Sequence, residues 1–265
     1  MVFLFQMLKI IKKTKLSAIK HILFLILLPF SVAFSQTIEL GVPFFENISP
    51  QTIGYGGANY SISQDMTGTM YFGNFNGIIT YNNLVWDLEP FSGKPVLFSD
   101  KIGQLFVGGF NTIAQIHLNA HDKITYESLI DSAVSFGQIQ TIEMFRNQVF
   151  FVAQNTLYKI SKRVAYPIVS DSIHLKIFTD RDVLYISKSD NLYVYDDDAI
   201  SPLLQTHEFT NTPMYDIFRF GNGIMLRTKS KFYTLSASKK IKQFITEIDD
   251  ELQLFGYSCA KRLSN

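Results

Sequence analysis

The 265-residue sequence holds one cysteine, Cys259, and one tryptophan, Trp86. A lone thiol excludes an internal disulfide framework, so the folded chain has to be stabilised by burial. An excess of charge is missing too: 24 Lys and Arg face 23 Asp and Glu, a net +1. Part of that basicity sits in Lys9, Lys12, Lys13, Lys15 and Lys20, which leaves the remainder slightly acidic and without the electrostatic footprint of a nucleic-acid binder. No G-x-x-x-x-G-K-[ST], G-x-G-x-x-G or G-x-S-x-G occurs, which removes the common phosphate cradles and the nucleophile elbow. No cofactor, catalytic residue or metal site is assigned from the residues.

What is present begins with those lysines. They flank the apolar run ILFLILLPFSVAF, Ile22 to Phe34, which is followed by Ser35 and Gln36. A basic region, a short apolar core and small residues at Ala33 and Ser35 make a secretory signal, cut near Ser35-Gln36. The run is shorter than the roughly 20 residues that span a bilayer, although an uncleaved anchor is the alternative. Met7 serves as a start as well as Met1, because the basic flank is kept. The domains expected are therefore 1–35, a signal peptide, and 36–265, a single exported domain, periplasmic in location.

Beyond Gln36 the chain repeats one pattern. In SQDMTGTMYFGNFNGIITYNN, Asp65 and Gly68 form a D-x-x-G turn, since Asp accepts from backbone amides two residues on and Gly takes positive φ at no steric cost. Asn76-Gly77 is a hairpin signal and is read as the second turn. The sequence VLFSDKIGQLFVGGFNTIAQIHLN repeats the arrangement with Asp100 and Gly103, and three further copies keep it with degenerate turns. Taking Tyr71, Phe106, Phe150, Tyr185 and Met225 as equivalent, the steps are 35, 44, 35 and 40 residues. Ten residues later in each copy stands Tyr81, Ile116, Ile160, Tyr195 or Leu235. A constant spacing inside units of about 40 residues, with variable spacing between them, predicts an all-β fold: a β-propeller of about five four-stranded blades. YSCAKRLSN reads as the first strand of a sixth, so the ring is expected to be incomplete. On this reading Gly68 and Gly77 serve turns and Gly73 a close backbone approach.

The stretch from Gly41 onward, above all SQDMTGTMYFGNFNGIITYNN with DKIGQLFVGGFNTIAQI and YESL (Tyr126 to Leu129), resembles the two-component-regulator propeller proteins of Bacteroidetes-type bacteria. The resemblance implies an exported ligand-sensing domain whose ligand is an unidentified small molecule or a glycan, with no ligand-binding residue assigned, and downstream partners: a triple-tyrosine domain, a membrane helix, and a histidine kinase or LuxR-type output. It also implies a homodimer in the full-length receptor. This chain resembles the N-terminal part of that architecture, with any output lying elsewhere. A stand-alone exported propeller enzyme or carbohydrate-binding module is the alternative, because the fold hosts both.

Other residues with chemical potential each have a plainer reading. His21, His117, His121, His174 and His207 lack metal-ligand spacing, and His117 with His121 sits at a strand end. Asp196, Asp197 and Asp198 lack the calcium-loop pattern and fall where a blade turn is expected. Asp249, Asp250 and Glu251 read as an inter-blade loop, and Ser258-Cys259 has no nearby base. Trp86 is read as blade packing in preference to a sugar platform.

Overall fold

The computed structural model describes residues 48–250, apart from 83–84, 101, 120–122, 132–133, 190, 205–213 and 248. The signal segment, His21, His121, His207, Glu251, Ser258, Cys259 and the proposed sixth-blade strand lie outside the described residues. Among the described residues no helix is long and apolar enough to cross a membrane.

A single turn of helix, α1 (Pro50–Ile53), opens the described chain. Ser49 caps it by accepting from the Thr52 N–H, and Gly54 ends it at φ 78°. Twenty strands follow in five antiparallel four-stranded meanders. Sheet 1 holds β1 (Asn59–Gln64), β2 (Met70–Asn74), β3 (Gly77–Tyr81) and β4 (Trp86–Glu89). Sheet 2 holds β5 (Val96–Ser99), β6 (Leu105–Gly108), β7 (Ile113–Leu118) and β8 (Ile124–Ser128). Sheet 3 holds β9 (Ile139–Phe145), β10 (Gln148–Ala153), β11 (Thr156–Ser161) and β12 (Val164–Ser170). Sheet 4 holds β13 (Leu175–Asp180), β14 (Val183–Lys188), β15 (Asn191–Asp196) and β16 (Ala199–Leu204). Sheet 5 holds β17 (Asp216–Phe220), β18 (Gly223–Arg227), β19 (Phe232–Leu235) and β20 (Ile241–Phe244).

The repeat read from the sequence is the hairpin register. Tyr71 pairs with Thr80, Phe106 with Gln115, Phe150 with Lys159, Tyr185 with Val194 and Met225 with Thr234. Each partner stands nine residues on, so the residue ten on lies on the opposite face of the same sheet. Both faces are apolar, and a sheet of this kind is stable only between neighbours. The core confirms it, dividing into four clusters that each join two consecutive sheets. Tyr71 and Ile78 of sheet 1 meet Leu97, Val107 and Ile116 of sheet 2, and Phe150, Val152 and Leu157 of sheet 3 meet Ile177, Ile186 and Tyr195 of sheet 4. The other two clusters join sheets 2 with 3 and 4 with 5. First strands lie side by side, β1 with β5, β5 with β9, β9 with β13 and β13 with β17, which is the radial arrangement of propeller blades around an axis.

The D-x-x-G turns form as expected. Asp65 Oδ1 accepts from the N–H groups of Thr67 at 2.9 Å and Thr69 at 3.0 Å, with Gly68 at φ 89°. Asp100 Oδ1 likewise accepts from Ile102 at 3.0 Å and Gln104 at 2.8 Å. The second turn is displaced by one residue from its expected place. Phe75 and Asn76 make the turn, with Asn74 Oδ1 accepting the Asn76 N–H at 2.9 Å, and Gly77 opens β3. Glycine is needed there for a different reason: a Cβ on Gly77 would lie 2.2 Å from the Glu89 carbonyl oxygen.

Candidate functional site

In each blade the first strand ends at one mouth of the axis, where a short turn carries the chain to the second strand. The turns of blades 2, 3 and 4 converge there around a cavity of about 460 Å³. The inner strands supply its wall: Phe98 and Ser99 from β5, Glu143 and Met144 from β9, and Thr179 from β13. The turns supply its rim: Asp100 and Ile102, Arg146 and Asn147, Arg181 and Asp182. Three blades thus build one concavity, and no single repeat contains it.

The rim turns of blades 3 and 4 need unusual backbone conformations. Arg146 and Asn147 lie at φ 48° and 60°, the type I′ geometry that matches strand twist, and Arg181 lies at φ 53°. Only some of the polar groups are engaged. The Arg146 guanidinium is 2.8 Å from Asp196 and 3.0 Å from Asp197 of blade 4, and one Asp100 oxygen is taken by its own turn. Arg181, Asp182 and Asn147 have no side-chain partner among the described residues. Thr179 Oγ1 is buried with no hydrogen-bond partner. Half-buried Glu143 brings an acceptor, and Phe98, Ile102 and Met144 add apolar surface. Fixed donors and acceptors beside apolar patches suit a ligand rich in hydroxyl groups.

The candidates noted in the sequence fall elsewhere. Asp197 and Asp198 form the β15–β16 turn at φ 45° and 61°, exposed as expected, and they also link blades. Asp198 pairs with Lys159 and accepts from Tyr195, and the Lys159 contact holds its carboxyl below the usual range. Burial pushes the Tyr195 phenol up. His117 Nε2 is 3.3 Å from Glu127 at an exposed strand end. His174 Nε2 is 3.1 Å from the Met214 carbonyl, and burial pushes its pKa down. Asp249 Oδ1 accepts from the Thr246 N–H at 3.1 Å, a local turn bond. Trp86 stacks on Tyr81 with centroids 4.2 Å apart, packing within blade 1. Sequence reasoning named none of the cavity's side chains as a site. The one available signal was the first-turn position, shared by Asp65 and Asp100 and filled by other residues in blades 3 and 4.

No family profile and no curated protein matches this chain. Solved structures do. The extracellular domain of BT4673 from B. thetaiotaomicron, described as a one-component and as a hybrid two-component system, superposes at TM-scores of 0.55 and 0.52, with 16% and 17% identity. The match covers 69% of this chain and 27% of that one, so this chain spans about a quarter of its length. Virginiamycin B lyase from Staphylococcus aureus aligns at TM-score 0.53 and 13% identity, over 70% of this chain and 69% of that one. YCF48 from Cyanidioschyzon merolae aligns at 0.52 and 9%, over 66% and 69%. The chain therefore has the β-propeller fold, shared with the extracellular domain of a two-component system.

Proposed function

We propose that this chain is the ligand-sensing part of an exported signal receptor, and that its ligand, a polyhydroxylated molecule such as an oligosaccharide, enters the axial mouth of blades 2 to 4. The observation that carries the reading is the cavity itself, in which Thr179, Asn147, Arg181 and Asp182, without side-chain partners among the described residues, line one space from two different blades. A ligand touching several blades at once would couple them, which is what a sensor passing a signal to a neighbouring domain requires. The likeness to an extracellular two-component-system domain supports this assignment. The lyase resemblance supports turnover less well. Virginiamycin B lyase is inactivated when one histidine is replaced, and among the described residues no histidine lines this cavity.

Calorimetric titration of the exported chain with a panel of neutral and uronate-bearing oligosaccharides tests the proposal. Saturable heat is expected, and Arg181→Ala should weaken binding about tenfold, equivalent to about 1.4 kcal/mol. Heat that Arg181→Ala leaves unchanged, or release of product from any saccharide, would contradict it.

A further inference from the structure

Ion pairing divides the charges at the axial mouth into those open to a ligand and those already neutralised. Arg146 borders the cavity from the first turn of blade 3, but its guanidinium is held from outside that space. Nη1 lies 2.8 Å from Asp196 Oδ1 and 3.0 Å from Asp197 Oδ1, and the guanidinium carbon sits 4.9 Å from the centre of the Phe145 ring. Neither aspartate is among the cavity's lining residues, and Asp197 lines a smaller groove alongside, which Arg146 borders as well. With two carboxylates on one guanidinium, Arg146 brings no surplus positive charge to the mouth.

The other ionised side chains of the lining set Arg181 against Asp100, Asp182 and half-buried Glu143. Lys101, next to Asp100 in the sequence, adds a positive charge and still leaves carboxylates in excess. A carboxylate or sulfate entering this space would give up water for a surrounding of like charge, which is unfavourable on both counts. Hydroxyl groups meet no such penalty, because they donate to carboxylates and accept from the Arg181 and Asn147 side chains.

We propose that the cavity selects uncharged saccharides over anionic ones, and that Asp196 and Asp197 are the positioning residues that set this choice by pairing with Arg146. The inference rests on the cavity being the ligand site. Without the two aspartates, Arg146 offers the planar pair of donors that fits a carboxylate, and the preference passes toward uronates. Asparagine at both positions keeps the turn, since Asn tolerates the φ of 45° at Asp197. The pairs are solvent-exposed, so their loss costs little stability.

Calorimetry of the protein with galacturonate and glucuronate oligosaccharides, each beside its carboxyl-reduced counterpart of the same linkage, tests this. The wild type should bind the reduced form about tenfold or more tightly than the acid. The double variant Asp196→Asn, Asp197→Asn, with unchanged circular dichroism, should tighten binding of the acid by about tenfold, a gain that added salt weakens, and leave the reduced form within about twofold. Adding Arg146→Gln to the double variant should abolish the gain. A wild type that binds the acid as tightly as the reduced form, or a double variant with an unchanged preference, would overturn the charge selection and leave the cavity as the ligand site. Absence of binding by every saccharide, acidic or neutral, would overturn the reading of the cavity and this inference with it.

Discussion

A methyl group at position 73 would lie 2.3 Å from Ser61 Oγ and 2.4 Å from the Pro95 carbonyl oxygen, distances that no packed carbon adopts. Gly73 is thus the point where the backbone of blade 2 presses on blade 1, and Ser61 bridges the same contact by donating to Pro95 O at 2.8 Å. Gly73→Ala is expected to cost about 1–3 kcal/mol, the usual penalty of overpacking against atoms that cannot move aside. A lowered urea midpoint with unchanged slope would show it. Gly68→Ala, where an added carbon would meet only Gln64 Nε2 at an ordinary 3.8 Å, strains only the turn at φ 89° and should cost less, about 1 kcal/mol. His174 makes a second residue-scale prediction. Burial is the main cause of its lowered pKa, with Lys176 adding in the same direction, so the folded state binds its proton more weakly than the unfolded chain. The stability linked to His174 is therefore complete above its unfolded pKa of about 6.5 and declines as the pH falls below that value. Melting temperatures of the wild type should drop more steeply between about pH 7 and pH 5 than those of His174→Gln. Parallel profiles would show that His174 contributes nothing.

At the scale of elements, the strands of blades 1 and 2 were legible in the sequence because their turns are made by residues with one preferred use. Asp65 and Asp100 each collect two backbone N–H groups through one oxygen, and Asp65 Oδ2 also accepts from the Tyr71 hydroxyl at 3.1 Å. Asp65→Ala should cost about 1–2 kcal/mol through those lost charge-assisted bonds, with Asp65→Asn recovering part of it, measured by denaturant melts. The turns of blades 3 and 4 were not legible. Arg146-Asn147, Gln154-Asn155, Lys162-Arg163 and Asp197-Asp198 all adopt positive φ without glycine, held in place by the flanking hairpin registers. The one-residue error at Phe75-Asn76 has the same origin, since Asn-Gly signalled a turn while Gly77 was needed for the close approach of Glu89 O. The candidate cavity was hidden for a related reason. Arg181 and Asn147 carry no motif, and they gain meaning only when three turns separated by more than thirty residues in sequence are brought to one mouth.

For the whole molecule, the constant register inside blades and the pairing of each core cluster with two consecutive blades make stability depend on nearest neighbours. A ligand spanning blades 2, 3 and 4 adds a contact of longer range, and this is the central claim of the functional reading. Hydrogen–deuterium exchange of the protein, with and without the oligosaccharide that gives the largest calorimetric heat, tests it most directly. The account predicts that saturating ligand slows exchange together at the three rim turns, Ser99–Ile102, Arg146–Asn147 and Arg181–Asp182, while the turns at the opposite mouth, such as Phe75–Asn76, are unchanged. Protection limited to one blade, protection at the opposite mouth, or no protection by any saccharide of the panel would contradict it.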